Sequence, residues 1–270
     1  SENVKSLYKI MAKKRKSKNL KKSFSLNDEI ESAFSYLNNS FHYILASFLI
    51  FIFFFALGFI FPLIVPGEFL APILDKVKQI IEEIVNRSKG LGFFGMWDFI
   101  FNNNALVSLL SISLGIFFGI PTLFFIFTNG FFIGLISFLV GSNIGVWSLW
   151  RLLPHGIFEI PAIIISFGIG LRIYYSLVFK NPKKRSEIFI FGFLISIIFF
   201  SFYILGSVIL LLDLRFLKYF AYALFVAGYF TSLYIGSFVL SNEIKKEVIS
   251  NFKDSLRVYI FVIIPLLVVA

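Results

Sequence analysis

Residues 99–150 read FIFNNNALVSLLSISLGIFFGIPTLFFIFTNGFFIGLISFLVGSNIGVWSLW. These 52 residues, between Asp98 and Arg151, contain no Asp, Glu, Lys, Arg or His. A water-exposed domain does not leave so long a stretch uncharged, whereas hydrocarbon tolerates it. Gly115, Gly119, Pro121, Asn129, Gly130, Gly134 and Gly141 interrupt the stretch, so it is not one plain helix.

The rest of the 270 residues agree: 58% are hydrophobic, 39 are Phe, and the mean hydropathy is +0.88. A soluble domain is about 45–50% apolar. The fold class expected is all-α, a polytopic helical membrane protein with about seven hydrophobic segments. Cys is absent, which excludes disulfides and thiol chemistry.

Residues 1–25 hold nine Lys or Arg against the single acid Glu2. Lys13, Lys14, Arg15 and Lys16 are the densest part, and they predict contact with anionic lipid headgroups from the cytoplasmic side. Aromatic interleaving is missing, so no nucleic acid is expected. Ser25 and Asp28 have the spacing of a capping box, and Leu26, Ile30, Phe34 and Leu37 recur at helical spacing. Residues 1–40 thus read as a basic arm feeding an amphipathic helix.

The first span is expected at 43–65, ended by Pro62 and Pro66. Segment 66–104 reads as an outer amphipathic helix on the membrane surface. Ile73, Leu74, Val77, Ile81, Ile84 and Val85 form one stripe, with Asp75, Lys78, Glu82, Glu83 and Arg87 opposite. Further spans are expected at 158–179, 188–212 and 219–240. A last apolar run, 258–270, has 13 residues, too few to span alone, and is expected to be cropped.

Loop charge decides how often 105–142 crosses. With two crossings, the two sides carry 17 and 7 Lys or Arg, leaving out Arg172; with one crossing they carry 12 and 12. The positive-inside rule selects the hairpin. Its turn has two candidates. Gly119-Ile-Pro121 leaves arms of about 14 and 20 residues, and Asn129-Gly130 leaves about 23 and 12. Either way one arm is short, so a short or broken hairpin is expected. Small-xxx-small stripes at Ser111/Gly115/Gly119, Gly130/Gly134 and Gly141/Gly145 predict close helix packing and are compatible with a homodimer. Trp97, Trp147 and Trp150 fall at one boundary, as an aromatic belt would.

Leu153-Pro154-His155-Gly156-Ile157-Phe158-Glu159 is the most unusual polar cluster. Pro154 suits a helix start. His155 and Glu159 share a face about 6 Å apart along the axis. A carboxylate there must be paired, hydrated or protonated. A clasp with Arg151 and His155 is one reading, and a proton- or ion-responsive site is the other. Arg172 reads as a snorkel at the other end of the same helix. Two His on opposite sides, and no phosphate loop or Gly-x-Ser-x-Gly, give no catalytic, cofactor or metal site.

Three pieces recur in order: Phe101-x-Asn103-Asn104, Asn129-Gly130-x-x-x-Gly134, and Pro154-His155-Gly156-Ile157-Phe158-Glu159-Ile160-Pro161-Ala162 with Gly168-x-Gly170-Leu171. In these the chain resembles the stage II sporulation protein M family, over about 41–180. The resemblance implies a multi-span membrane protein without established catalytic activity. In spore formers the named member works in a membrane complex with peptidoglycan-degrading partners. Segment 181–270 then reads as additional spans. The function expected is a non-enzymatic scaffold in the plasma membrane, N-terminus cytoplasmic, with other membrane or envelope proteins as partners. The alternatives are an ion or small-solute transporter using the hairpin and His155/Glu159 and, least favoured, an intramembrane enzyme.

Overall fold

The computed structural model describes residues 25–117, 119–145, 153–180, 182–211 and 218–270. Every regular element among them is helical: α1 (Leu26–Asn38), α2 (Phe41–Ile64), α3 (Gly67–Ser88), α4 (Phe93–Ser113), α5 (Ile120–Ile144), α6 (Leu153–Phe179), α7 (Arg185–Leu211), α8 (Lys218–Ser237), α9 (Asn242–Val258) and α10 (Ile264–Val269). The spans Phe41–Ile64, Phe93–Ile116, Ile120–Ser142 and Gly156–Phe179 are long and apolar enough to cross a membrane. The chain is an all-α membrane protein.

The hairpin is neither short nor broken. Its first arm begins at Phe93 and runs through a 3-10 turn to Ile116, so both arms reach crossing length. Segment 66–104 therefore divides: the amphipathic helix ends at Ser88, and 93–104 belongs to the span. Within this span Asn102 satisfies its amide on Asp98 of the same helix, at 2.9 Å. The turn is the Gly119 one. Gly119 has φ +66°, a left-handed conformation that suits glycine, and Pro121 lies in the first turn of α5, where no N–H is needed.

α6 is the central helix: 67% of its most apolar stretch is buried, against 17% for α2. Glycines set how close its neighbours come. A Cβ on Gly170 would stand 2.4 Å from the Ser111 carbonyl oxygen of α4, and one on Gly115 2.4 Å from the Gly170 carbonyl oxygen. On its other side, Gly168 lies against the Ile44 backbone of α2. α2 and α5 meet the same way, through Gly58, Gly130 and Gly134. In lipid there is no hydrophobic drive between helices, so such backbone contact is what holds them. Ile126, Leu135, Phe167 and Ile169 fill the remaining space with no exposure.

α7 and α8 pair with each other. The Tyr229 hydroxyl of α8 donates to the Ser113 carbonyl of α4 at 3.2 Å. The C-terminal apolar run is not isolated. It continues α9 through a π turn at Tyr259–Ile263 into α10, which packs along α6 and α4. Pro62 does not end α2, which runs on to Ile64.

Candidate functional site

At the end of the bundle where α4 and α6 begin, a cavity of about 240 Å³ opens between α4, α6 and α10. Phe93, Met96, Trp97, Ile100, Phe101 and Leu267 make its apolar wall; Asn104 and Glu159 supply the polar groups. Trp97 and Phe101 are one turn apart on α4 and stack, with centroids 5.1 Å apart and planes at 9°. The Trp97 indole N–H donates to the Val268 carbonyl at 3.2 Å, fixing the ring against α10. Glu159 is half-buried, and its Oε1 is shielded from solvent. The arrangement suits a group with an apolar body and one donor or positive charge, recognised by an amide and a carboxylate against aromatic faces. Among the described residues no three His, Cys, Asp or Glu side chains converge to hold a metal.

The structure thus brings Asn104 and Glu159 together, from motifs 55 positions apart in sequence. It separates others. Asn103 faces outward, exposed. Asn129 donates to the Phe125 carbonyl of its own helix at 2.9 Å, and Gly130 beside it packs on the Phe51 carbonyl of α2. Asn129-Gly130 is therefore a packing element and not a turn. Gly156 lies in the first turns of α6. Lys13, Lys14, Arg15, Lys16, Trp147, Trp150 and Arg151, and the side chains of Pro154 and His155, lie outside the described residues. So does the clasp expected between Arg151, His155 and Glu159.

A second polar cluster, at the opposite end, is absent from the sequence reading. Arg172 does not snorkel outward. Its Nη1 donates to the Tyr36 carbonyl at 2.7 Å and to Ser40 Oγ at 2.6 Å, where α1 ends. Its guanidinium carbon stands 3.7 Å from the centre of the Tyr36 ring. The cation thereby meets the negative end of the α1 dipole and an aromatic face together.

The Tyr36 hydroxyl lies 3.3 Å from Asn251 Oδ1 and 3.2 Å from Ser255 Oγ of α9. Asn251 in turn donates to Ser176 Oγ of α6 at 3.0 Å. Burial pushes the Tyr36 phenol above its ordinary pKa, partly offset by the Ser255 hydrogen bond and the Arg172 charge. Arg257 of α9 grips Glu29 of α1 with Nε and Nη2 and reaches Asp254 at 2.6 Å. Ser25, at the start of α1, makes no side-chain cap. What seats α1 is this face of Glu29, Ala33, Tyr36 and Ser40, while Leu26 and Phe34 of the apolar stripe stay exposed. An Arg inside a span, next to Gly168-x-Gly170, was the available signal.

The description "Stage II sporulation protein M" belongs to the family model that matches residues 47–212. The match runs past 180 and takes in α7. No curated protein and no solved structure matches the chain. With more than half of its length covered by that match, and with the helices and motif residues placed as above, the chain belongs to the stage II sporulation protein M family.

Proposed function

We propose that this protein is a non-enzymatic membrane scaffold that positions partner proteins of the membrane or envelope. One observation carries the reading: the core helices meet backbone to backbone at Gly58, Gly115, Gly134 and Gly170. Helices in such contact hold one another in a fixed register, which suits a rigid framework. The amphipathic α3 supports the role, because it follows the first span and keeps Phe69, Asp75 and Lys78 all exposed. The loop charge bias favours a plasma-membrane orientation with the basic arm cytoplasmic, its lysines against anionic headgroups.

The test is flux. Correctly folded protein in liposomes loaded with pH- and ion-sensitive dyes is expected to behave as empty vesicles do. Wild-type flux that Glu159→Gln removes would replace this reading with the alternative, a transporter. The Glu159 cavity is what favours that alternative, because it holds a shielded carboxylate oxygen.

A further inference from the structure

The end of the molecule that holds α1 carries a second concavity, of about 580 Å³, between the C-terminal end of α8, the start of α7 and α9. Its floor is apolar: Phe191, Leu233, Leu240, Val248, Phe252 and Leu256. Among the described residues, the charged side chains that line it are Lys245 and Lys253, and no acid does.

The sequence of α9 explains this. Lys245, Val248, Ile249, Phe252, Lys253 and Leu256 recur at alternating steps of three and one, which places them on one helical face. Asn251, Ser255 and Arg257 form the other face and are committed to α1 and α6. Two of the three acids of α9 pair away from the groove: Glu243 with Lys184 and Asp254 with Arg257. Among the described residues, no carboxylate lines the groove beside the two rim lysines. Ile249 stays 66% exposed on this face, on a helix otherwise rich in charge. The apolar ends of α7 and α8 meet the charged residues of 241–253 here, which sets the groove at the boundary between hydrocarbon and headgroups.

We infer that this groove is a site for one anionic glycerophospholipid, with an acyl chain along the Leu233–Val248–Phe252 floor and the phosphate at the Lys245/Lys253 rim. Charge complementarity selects an anionic over a zwitterionic lipid, and the apolar floor selects a lipid over a free anion. The site is distinct from the basic arm, because it lies on α9.

The test places the full chain in phosphatidylcholine vesicles doped with phosphatidylglycerol carrying a photoreactive acyl chain. Labelled residues are mapped by mass spectrometry, and photoreactive phosphatidylcholine serves as the comparison. Labelling of 233–256 is expected to favour phosphatidylglycerol. Lys245→Gln and Lys253→Gln should each cut it about fivefold, as expected for one cation lost near an anionic headgroup. Lys180→Gln, at an exposed lysine just past α6 that does not line the groove, should leave it unchanged. Val248→Trp, which fills the floor and keeps both lysines, should reduce labelling by either lipid. Equal labelling by the two lipids in the wild type would overturn the inference, as would an equal loss in Lys180→Gln. Suppression by inorganic phosphate would reduce the site to a plain anion site and overturn the lipid assignment.

Discussion

The α2–α5 pair is parallel and the α7–α8 pair antiparallel, and both use glycine, but the glycines face different things. In α2–α5 a Cβ on Gly134 would stand 2.1 Å from the Phe55 carbonyl oxygen, and one on Gly58 2.0 Å from that of Phe131. In α7–α8 a Cβ on Gly236 would meet Ile195 Cγ2 at 2.4 Å and the Phe191 ring edge at 2.9 Å. A carbonyl in a helix cannot move without breaking its hydrogen bonds, whereas a ring or a branch can turn to another rotamer. The first pair is therefore fixed by its backbones and the second by side-chain fit.

The contrast can be broken most directly at Gly134. Gly134→Ala should cost about 3 kcal/mol or more, the upper range for overpacking, and should collapse the yield of folded protein in detergent. A normal thermal melt for that variant would end the distinction. Arg172→Lys tests whether the clasp fixes α1 as firmly. Lysine loses the stacked plane on Tyr36 and the geometry of the double donation, and about 2 kcal/mol is expected. The loss should show as a lower melting temperature with faster proteolysis near Asn38, and a melt like the wild type would make the clasp ornamental.

Gly236→Ala should cost only about 1 kcal/mol, since Phe191 and Ile195 can yield. A loss as large as that of Gly134→Ala would show the two pairs to be alike. The smallest effect is expected at Glu243, whose carboxyl Lys184 holds below its ordinary pKa. A lowered folded-state pKa stabilises the protein above the ordinary carboxylate value, and that stabilisation is lost as pH falls through the lowered one. Glu243 is 83% exposed, so solvent screens the pair. Glu243→Gln should flatten only the acid side of a stability–pH profile, and an unchanged acid limb would show the pair to be inert.

Much of this architecture was legible before any coordinates. The uncharged run of 99–150 and the loop lysines together pointed to two crossings, and two helices of crossing length are there. The turn was narrowed to two dipeptides, and what separated them is not local. Gly130 is seated on the Phe51 carbonyl, a contact no reading of Asn129-Gly130 contains. Similarly, the amphipathic stripe of 73–87 was extended to 104, because composition does not show that Trp97, Phe101 and Asn104 turn one face to Glu159. Arg172 was visible as a charge inside a span, but its partners Tyr36 and Ser40 lie more than 130 positions away.

The π turn at Tyr259–Ile263 also sets the phase of the last helix. Pro265 cannot donate to the carbonyl four residues back, and the backbone takes up the mismatch as one extra residue in the turn. Everything beyond it is rotated by about 100° from where a plain α-helix would leave it. α9 keeps its polar side on Tyr36, and α10 presents Leu267 to the cavity and the Val268 carbonyl to Trp97. The two ends of the molecule are thus geared together through one rod, and their register is set to within a single residue.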